Sequence, residues 1–427
     1  MSADVLNVIF EFSPVDEVLV GRVALDGNAA VFEYDNTFAS SGLSLNPSFD
    51  AAMPGLVRPR DPRAFDGLHG VFADSLPDAW GQLLFERQLR DAGVAAGTLT
   101  ILDRLAYVGR RGRGALVYEP SLGNVAADRR VDLDHLALEA NVVLEGGESD
   151  VLRELERLGG SSGGARPKVH VALDESGNAR SGDDVLPAGF THWIVKFHAR
   201  ADRFADIGPL EAAYSQVARG ARIDIPRTRL IPAKSAPGYF ATERFDRGPN
   251  GQRSHMLSAA GMLDAQWALP SVSYENLMDA IRGATRDQQA VLEMFRRMVF
   301  NVLAVNRDDH AKQHSLLMDR AGHWRLSPAY DLTLAFGPGN EHYLAVNGRG
   351  RNITRPDLLA VADRQSIAKR IASEIIDEVA TAVETLPAIA RDFGVTSSTL
   401  RELGRATAEQ LSLMTTTHAP KPTRWSP

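Results

Sequence analysis

The residues with the greatest capacity for chemistry lie in one run, VNRDDHAKQHSLLMDRAGHWRLSPAYDLT, which gathers Asp308, Asp309, His310, Lys312, Gln313, His314 and Asp331 after a long apolar segment. A carboxylate such as Asp308 can accept or orient the proton of an attacking hydroxyl. An amide oxygen at Gln313, five positions on, and a second carboxylate at Asp331 could share a divalent cation. Two other readings compete. Asp308 and Asp309 could be solvated turn residues, with His310 capping a helix. Alternatively, His310 and His314 stand four apart, would share a helix face, and with Asp309 could hold a metal as in a hydrolase, although the H-E-x-x-H pattern is missing.

Two further features lie upstream. In HWIVKF, Lys196 interrupts an apolar strand-like run, where an ammonium is costly unless it finds a partner or reaches water at the strand edge. Glu211, near the start of the next helical run, is the candidate partner. The turn GGSSGGARPK contains Gly163, Gly164, Ala165, Arg166, Pro167 and Lys168, and its glycines would let backbone N–H groups approach phosphate oxygens. It is not a Walker A loop, because Lys168 does not follow a glycine and Val169 stands where Ser or Thr is required. Each feature is ambiguous alone. Their order (glycine turn, strand lysine, helix glutamate, strand pair, carboxylate, second carboxylate) is that of protein kinases. The kinase loop H-R-D-x-x-x-x-N is matched by Asn306-Arg307-Asp308 and Gln313, with Asn for His and Gln for Asn, while Asp331 lacks the glycine of D-F-G.

The elements that must position these groups can be read from periodicity. VLVGRVALDG and AVFEYD alternate like antiparallel strands, and the run from Asp78 to Leu89 spaces its apolar residues helically after a Ser-Leu-Pro start. The polar stretch 124–134 reads as a linker leading to a helix, DVLRELERLGG, closed by two glycines. VHVAL, HWIVKF, RTRLIPA and GYFATERF read as strands and LEAAYSQVARGA as a helix, suggesting a small sheet that carries one helix. Beyond 251 the clearest runs are helical, YENLMDAIRGA, QQAVLEMFRRMVFNVLAV and IAKRIASEIIDEVATAVETL, with a polar, loop-like region over 306–352.

At this point the chain resembles the HipA family of bacterial toxin–antitoxin pairs, through FADSLPDAWGQLLFER, GALVYEP, SSGGARPKVHVAL, WIVKF, TERFDR, NRDDHAKQHSLL and LSPAYDLT. The resemblance implies an α+β, protein-kinase-like two-lobed fold with an N-terminal β-rich subdomain (1–125), a kinase-like N-lobe with the phosphate loop (126–250) and a mostly helical C-lobe (251–427). It implies magnesium-dependent transfer of the ATP γ-phosphate to a protein Ser or Thr. On that basis 163–168 is the phosphate loop, Lys196 the phosphate-binding lysine with Glu211 as its partner, and Glu243, Arg244 and Phe245 the adenine-side hinge. His310, Lys312 and Tyr330 join the ATP site, Asp308 is the catalytic base, and Gln313 and Asp331 are the metal ligands. Ser161, or Ser162 beside it, matches the autophosphorylated serine that silences such enzymes. The family usually has Asn where Gln313 stands. The implied partners are a small helix-turn-helix antitoxin (HipB-like), operator DNA contacted mainly through it, and a protein substrate such as an aminoacyl-tRNA synthetase. A weakly active kinase-like co-repressor is the alternative that Gln313 keeps open.

Bulk properties agree. The 427 residues exceed what one core usually organises, and 44% hydrophobic with 24% charged residues describes a folded chain rather than a disordered one. A net charge of −7 leaves no global basic footprint for nucleic acid. With no cysteine there is no disulfide, thiolate metal site or thiol nucleophile. The N-terminus does not read as a signal peptide and no apolar run approaches the roughly 20 residues of a membrane span, so a cytoplasmic protein without membrane contact is expected.

Overall fold

In a computed structural model the described residues are 4–48, 55–91, 93–94, 99–122, 130–159, 163–182, 185–266 and 271–415. Ser161 and Ser162 lie outside them, as does most of the expected linker. The chain divides into two compact units, one comprising Met1–Ala205, Arg229–Leu257 and Leu317–His323, the other Asp206–Thr228, Ser258–Leu316 and Trp324–Pro427.

The first unit is built on two five-stranded sheets. One contains β1 (Val5–Ser13), β2 (Asp16–Asp26), β3 (Ala29–Tyr34), β4 (Leu56–Val57) and β5 (Leu116–Glu119) in the order β4-β3-β2-β1-β5. Its β2–β3 hairpin turns through Gly27 and Asn28, with Gly27 at φ 63, a conformation open to glycine at no steric cost. The buried faces of β1 and β3 bring Phe10 and Phe32 against Phe38 and Phe72 respectively. The second sheet contains β6 (Lys168–Leu173), β7 (Ala179–Ser181), β8 (Thr191–Lys196), β9 (Thr228–Ile231) and β10 (Tyr239–Glu243) in the order β7-β6-β8-β10-β9. These are the strands that VHVAL, HWIVKF, RTRLIPA and GYFATERF led us to expect.

One face of the second sheet, with Val169, Val171, Trp193, Val195 and Tyr239, forms a single core with three helices that precede it in the chain, Ala79–Asp91, Leu133–Leu144 and Leu152–Gly159. Leu133–Leu144, which begins at the end of the expected 124–134 linker, is a helix that sequence periodicity did not single out. Asp132 caps it by accepting from the His135 backbone N–H at 3.1 Å, and Leu136, Ala137, Ala140 and Val143 give it a buried stripe.

The helix expected to ride on this sheet, Ile207–Gly220, instead groups with the helical second unit, where the buried Tyr214 hydroxyl donates to the Ala304 carbonyl at 2.6 Å. Just before that helix, Asp206 accepts from the Thr396 N–H at 2.6 Å and the Thr399 hydroxyl at 2.9 Å. Gln288–Leu303 runs through the interior of this unit, with Val291, Met294, Phe295, Met298, Val299, Val302 and Leu303 all buried. Around it stand Tyr274–Thr285, Arg355–Arg364, Lys369–Glu384, Leu386–Asp392 and Ser397–Ser412. The 306–352 region is mostly loop, as its composition suggests, but includes the short strands Ser315–Met318 and Trp324–Leu326. Among the described residues no helix is long and apolar enough to cross a membrane.

Candidate functional site

The first unit carries its two candidate lysines on the face of the second sheet turned away from the apolar core. Strand alternation sends Val169 and Val195 into that core, so Lys168 and Lys196 share the opposite face. They are direct partners in the antiparallel β6–β8 ladder, and both are only 7% exposed. Like charges directly opposite each other across strands destabilise a sheet, so this pair concentrates positive charge on that face of the sheet. Lys168 Nζ donates to the Gly163 carbonyl, and the Lys196 ammonium lies 5.6 Å from the ring centroid of Phe240, its partner on β10.

The 163–168 turn leads into β6. Gly164 has φ +82, which a side chain would strain, and its N–H donates to Asp78 Oδ2 at 3.0 Å. Arg166 lies 3.6 Å from Asp202, and the Pro167 carbonyl accepts from the Phe197 N–H at 2.8 Å, tying the turn to the end of β8. Ala165 is exposed at the tip.

Beyond β10, Glu243, Arg244 and Phe245 lead into a buried charge network that sequence reasoning missed. Asp246 accepts from Arg244 at 2.7 Å, from Arg247 at 2.8 Å and from the Gly114 N–H at 2.8 Å. Burial alone would raise its carboxyl, but the two guanidiniums hold it well below the usual carboxylate range. Arg247 also donates to the Gly112 and Gly114 carbonyls at 2.8 Å each, and Arg244 lies 3.4 Å from His170 Nδ1 on β6. Burial, then the neighbouring Arg244, keeps His170 neutral. The only available signal was the charge density of TERFDR itself.

The second unit holds the remaining candidates. Glu211 sits on Ile207–Gly220 and is 1% exposed. Gln313 Nε2 donates to Asp331 Oδ2 at 2.8 Å, so the two expected metal ligands are in contact. Asp331 has φ 58, a left-handed conformation that a non-glycine residue keeps only when its surroundings enforce it. Tyr330 donates to the Lys312 carbonyl at 2.8 Å and shares a 2.6 Å hydrogen bond with Ser315 Oγ, pinning this loop to the 311–315 segment. The Asp308 side chain is half-exposed, with Oδ1 3.8 Å from His310 Nε2, and His310 lies edge-on to the Tyr343 ring.

Asp309 behaves differently from its neighbour, and two expectations fail there. Its Oδ2 accepts from the Tyr274 hydroxyl and pairs with His342 Nδ1, both at 2.8 Å, and its Oδ1 accepts from the Tyr343 N–H at 2.9 Å. It is completely buried, so it is no solvated turn residue. Burial would raise its pKa, but His342 and Tyr274 outweigh that and lower it. Its oxygens are taken up by three hydrogen bonds, and His310 and His314 flank a single 3-10 turn, Ala311–Gln313, rather than sharing a helix face. Burial pushes His314 down to about 4. Among the described residues no cluster of three or more His, Asp or Glu side chains could hold a metal ion. This arrangement does not fit a His/Asp metallohydrolase. Tyr274 in turn accepts from Asn301 Nδ2 at 2.9 Å, and Asn301 accepts from Asn306 Nδ2 at 3.0 Å. The segment before Asp308 is thus fastened to two helices.

Comparison with known proteins gives this geometry its context. A Sinorhizobium fredii protein named "Putative kinase Y4dM" is 25% identical over 232 residues. That match takes in 49% of this chain and 54% of the relative, so the chain spans about half the relative's length. The solved complex of HipA, HipB and operator DNA from a Shewanella oneidensis MR-1 toxin–antitoxin system contains a chain similar in fold, with a TM-score of 0.68 and 16% identity. That likeness covers 95% of this chain and 96% of the other, and it bears out the α+β, kinase-like two-lobed class expected from the sequence. A proinflammatory kinase from Helicobacter pylori, CtkA, aligns with a TM-score of 0.35 at 12% identity over 52% of this chain and 88% of its own. Residues 14–119 match the HipA N-terminal domain and residues 160–386 the HipA-like C-terminal domain, and on that ground the chain belongs to the HipA family.

Proposed function

We propose that this protein is an ATP- and magnesium-dependent serine/threonine protein kinase, and that it works as the toxin of a toxin–antitoxin pair. The observation that carries the reading is the buried cross-strand pair Lys168 and Lys196, two cations fixed side by side at the end of a glycine turn. A polyphosphate chain is complementary in charge to such a pair, and backbone N–H groups of the 163–168 turn add donors for it. Gln313 and Asp331, joined by the Gln313 Nε2–H bond to Asp331 Oδ2, carry an amide oxygen and a carboxylate, the kinds of hard donor that suit Mg2+. These two residues would hold the ion, which would neutralise charge on the β- and γ-phosphates.

In this reading Lys168 and Lys196 bind and orient the nucleotide, with Glu211 in support of Lys196. Glu243, Arg244 and Phe245 form its adenine side, and His310, Lys312 and Tyr330 complete the ATP site. Asp308, half-exposed beside a rigidly held neighbour, orients the substrate hydroxyl and takes its proton. The hydroxyl oxygen bonds to the γ-phosphorus as the bond to the bridging oxygen breaks, and ADP leaves. Ser161 or Ser162 would be the autophosphorylation site. The solved relative assembles with HipB and operator DNA. We extend that arrangement to this chain, with a small helix-turn-helix antitoxin making most of the DNA contact, in keeping with the chain's net charge of −7. The proposed substrate is a translation component such as an aminoacyl-tRNA synthetase.

The test is incubation with γ-labelled ATP and magnesium, wild type beside Asp308→Ala, with phosphosites mapped by mass spectrometry. Incorporation by the wild type and none by the variant is the expected result. No incorporation by either, from an initially unphosphorylated wild type, would reject the kinase in favour of a co-repressor.

A further inference from the structure

The segment SLPDAWG belongs to the N-terminal family match, and nothing in the kinase reading uses it. In the structure it grips the 163–168 turn at two points. Asp78 Oδ2 accepts the Gly164 N–H at 3.0 Å, while the Gly164 carbonyl accepts the Trp80 N–H at 3.3 Å, so one residue of the turn is held on both its donor and its acceptor. Trp80 Nε1 then donates to the Lys168 carbonyl at 3.0 Å, holding the other end of the turn where β6 begins. Packing leaves no slack around these bonds. A Cβ at Gly159 would lie 2.7 Å from the Lys168 carbonyl oxygen and 2.9 Å from Trp80 Nε1. A Cβ at Gly163 would lie 3.2 Å from Asp78 Oδ2 and 3.3 Å from Arg113 Nη1. Arg113 is itself anchored on the Asp74 carbonyl at 2.6 Å, just upstream of Asp78. The Trp80 ring, 1% exposed, packs into the core beneath the sheet with Val169, Val171 and Leu155, so the grip is rooted in the interior.

We propose that Asp78 and Trp80 are positioning residues, and that through them the N-terminal domain sets the shape of the phosphate turn. This rests on the kinase reading, since it is the ATP phosphates that the turn would meet. Asp78 acts through a charge-assisted hydrogen bond to backbone, which fixes Gly164 without occupying the lysines. Trp80 fixes the backbone of Lys168, and with it the point from which that side chain starts. A turn so held has surrendered its conformational entropy on folding and need not surrender it again when nucleotide binds. Without the grip, each binding event would have to order the turn.

The experiment uses the full chain. Hydrogen exchange is followed at the peptide spanning 163–168, and steady-state kinetics with Mg-ATP in parallel. Asp78→Ala and Trp80→Phe are expected to speed exchange there by about tenfold and raise KM for ATP by about tenfold, with kcat changing by less than about threefold. Asp78→Asn, which keeps an acceptor oxygen of the same shape, should recover most of both. If Asp78→Ala does not fold, Trp80→Phe and Asp78→Asn still carry the comparison. Exchange unchanged in Trp80→Phe and Asp78→Ala, with a wild type that binds ATP normally, would overturn the proposal alone. Faster exchange with KM unmoved would also overturn it. A wild type that binds no ATP would remove the kinase reading, and the proposal with it.

Discussion

The two units present their reactive groups in opposite ways. In the first, Lys168 and Lys196 stand on paired strands, and their separation is set by the ladder itself. In the second, Asp308 and Asp331 stand on loops and Gln313 ends a single 3-10 turn, where no ladder fixes them. They are held instead by hydrogen bonds of nearby side chains: the buried Asp309 with Tyr274 and His342, the buried Asn301 with Asn306, and the half-buried Tyr330 with the Lys312 carbonyl and Ser315. A strand positions charge cheaply but only at intervals of the ladder. A loop can place a carboxylate anywhere, at the cost of a dedicated set of buried hydrogen bonds to hold it.

This contrast can be broken at several points. The largest expected effect is chemical: Asp308→Ala should lower phosphoryl transfer by about a thousandfold while leaving the melting temperature nearly unchanged, because a half-exposed carboxylate contributes little to packing. A large fall in melting temperature would show that Asp308 is structural. The converse holds one residue on. Asp309→Ala strands His342 and Tyr274 and should cost about 3–5 kcal/mol of unfolding free energy, read by denaturant titration. On the strand side, Lys196→Met should abolish most of the thermal stabilisation that ATP confers, corresponding to a loss of roughly 10–100-fold in affinity. Undiminished stabilisation would detach the lysine pair from nucleotide.

Smaller effects sharpen the comparison. His255 in the first unit and His314 in the second are each pushed by burial from 6.5 down to about 4. Between those pH values the unfolded chain takes up protons that the folded form refuses, so stability falls as pH drops from 6.5 towards 4 and is fully present above 6.5. His255 Nε2 donates to the Leu45 carbonyl at 3.0 Å, and His255→Gln, which keeps a donor, should flatten the slope measured by thermal melts across that range. The carboxyls of Asp246 and Asp309 are lowered instead, so their contribution persists through this window and disappears only at more acid pH. Smallest of all, Gln313→Asn should change kcat by only a few-fold but shift the magnesium concentration giving half-maximal rate, since the shorter side chain gives up its 2.8 Å contact with Asp331.

What was legible in the sequence was local. Alternation in VHVAL and HWIVKF identified the strands, and an ammonium inside one of them marked Lys196. The pairing of Lys196 with Lys168 was not legible, because register depends on contacts between segments that sequence periodicity does not relate. Asp309 shows the same limit: its type suggested a turn or a metal ligand, and its fate was decided by His342, 33 residues away. Leu133–Leu144 had a readable cap and stripe, but the polar tract before it read as linker and masked them. Asp78 and Trp80 carry a family likeness in the sequence, but their bonds to Gly164 and Lys168 join segments about 90 residues apart that no local pattern relates.

The Asp246 network bears on modularity. The HipA-like C-terminal match begins at residue 160, yet Asp246 and Arg247 are bonded to Gly112 and Gly114, and the second sheet shares its core with Trp80, Leu136 and Leu155. The boundary between family matches is thus not a boundary between folding units. A fragment expressed from residue 160 onward would expose one face of its sheet and carry an unsatisfied ion cluster, and should be recovered as aggregate.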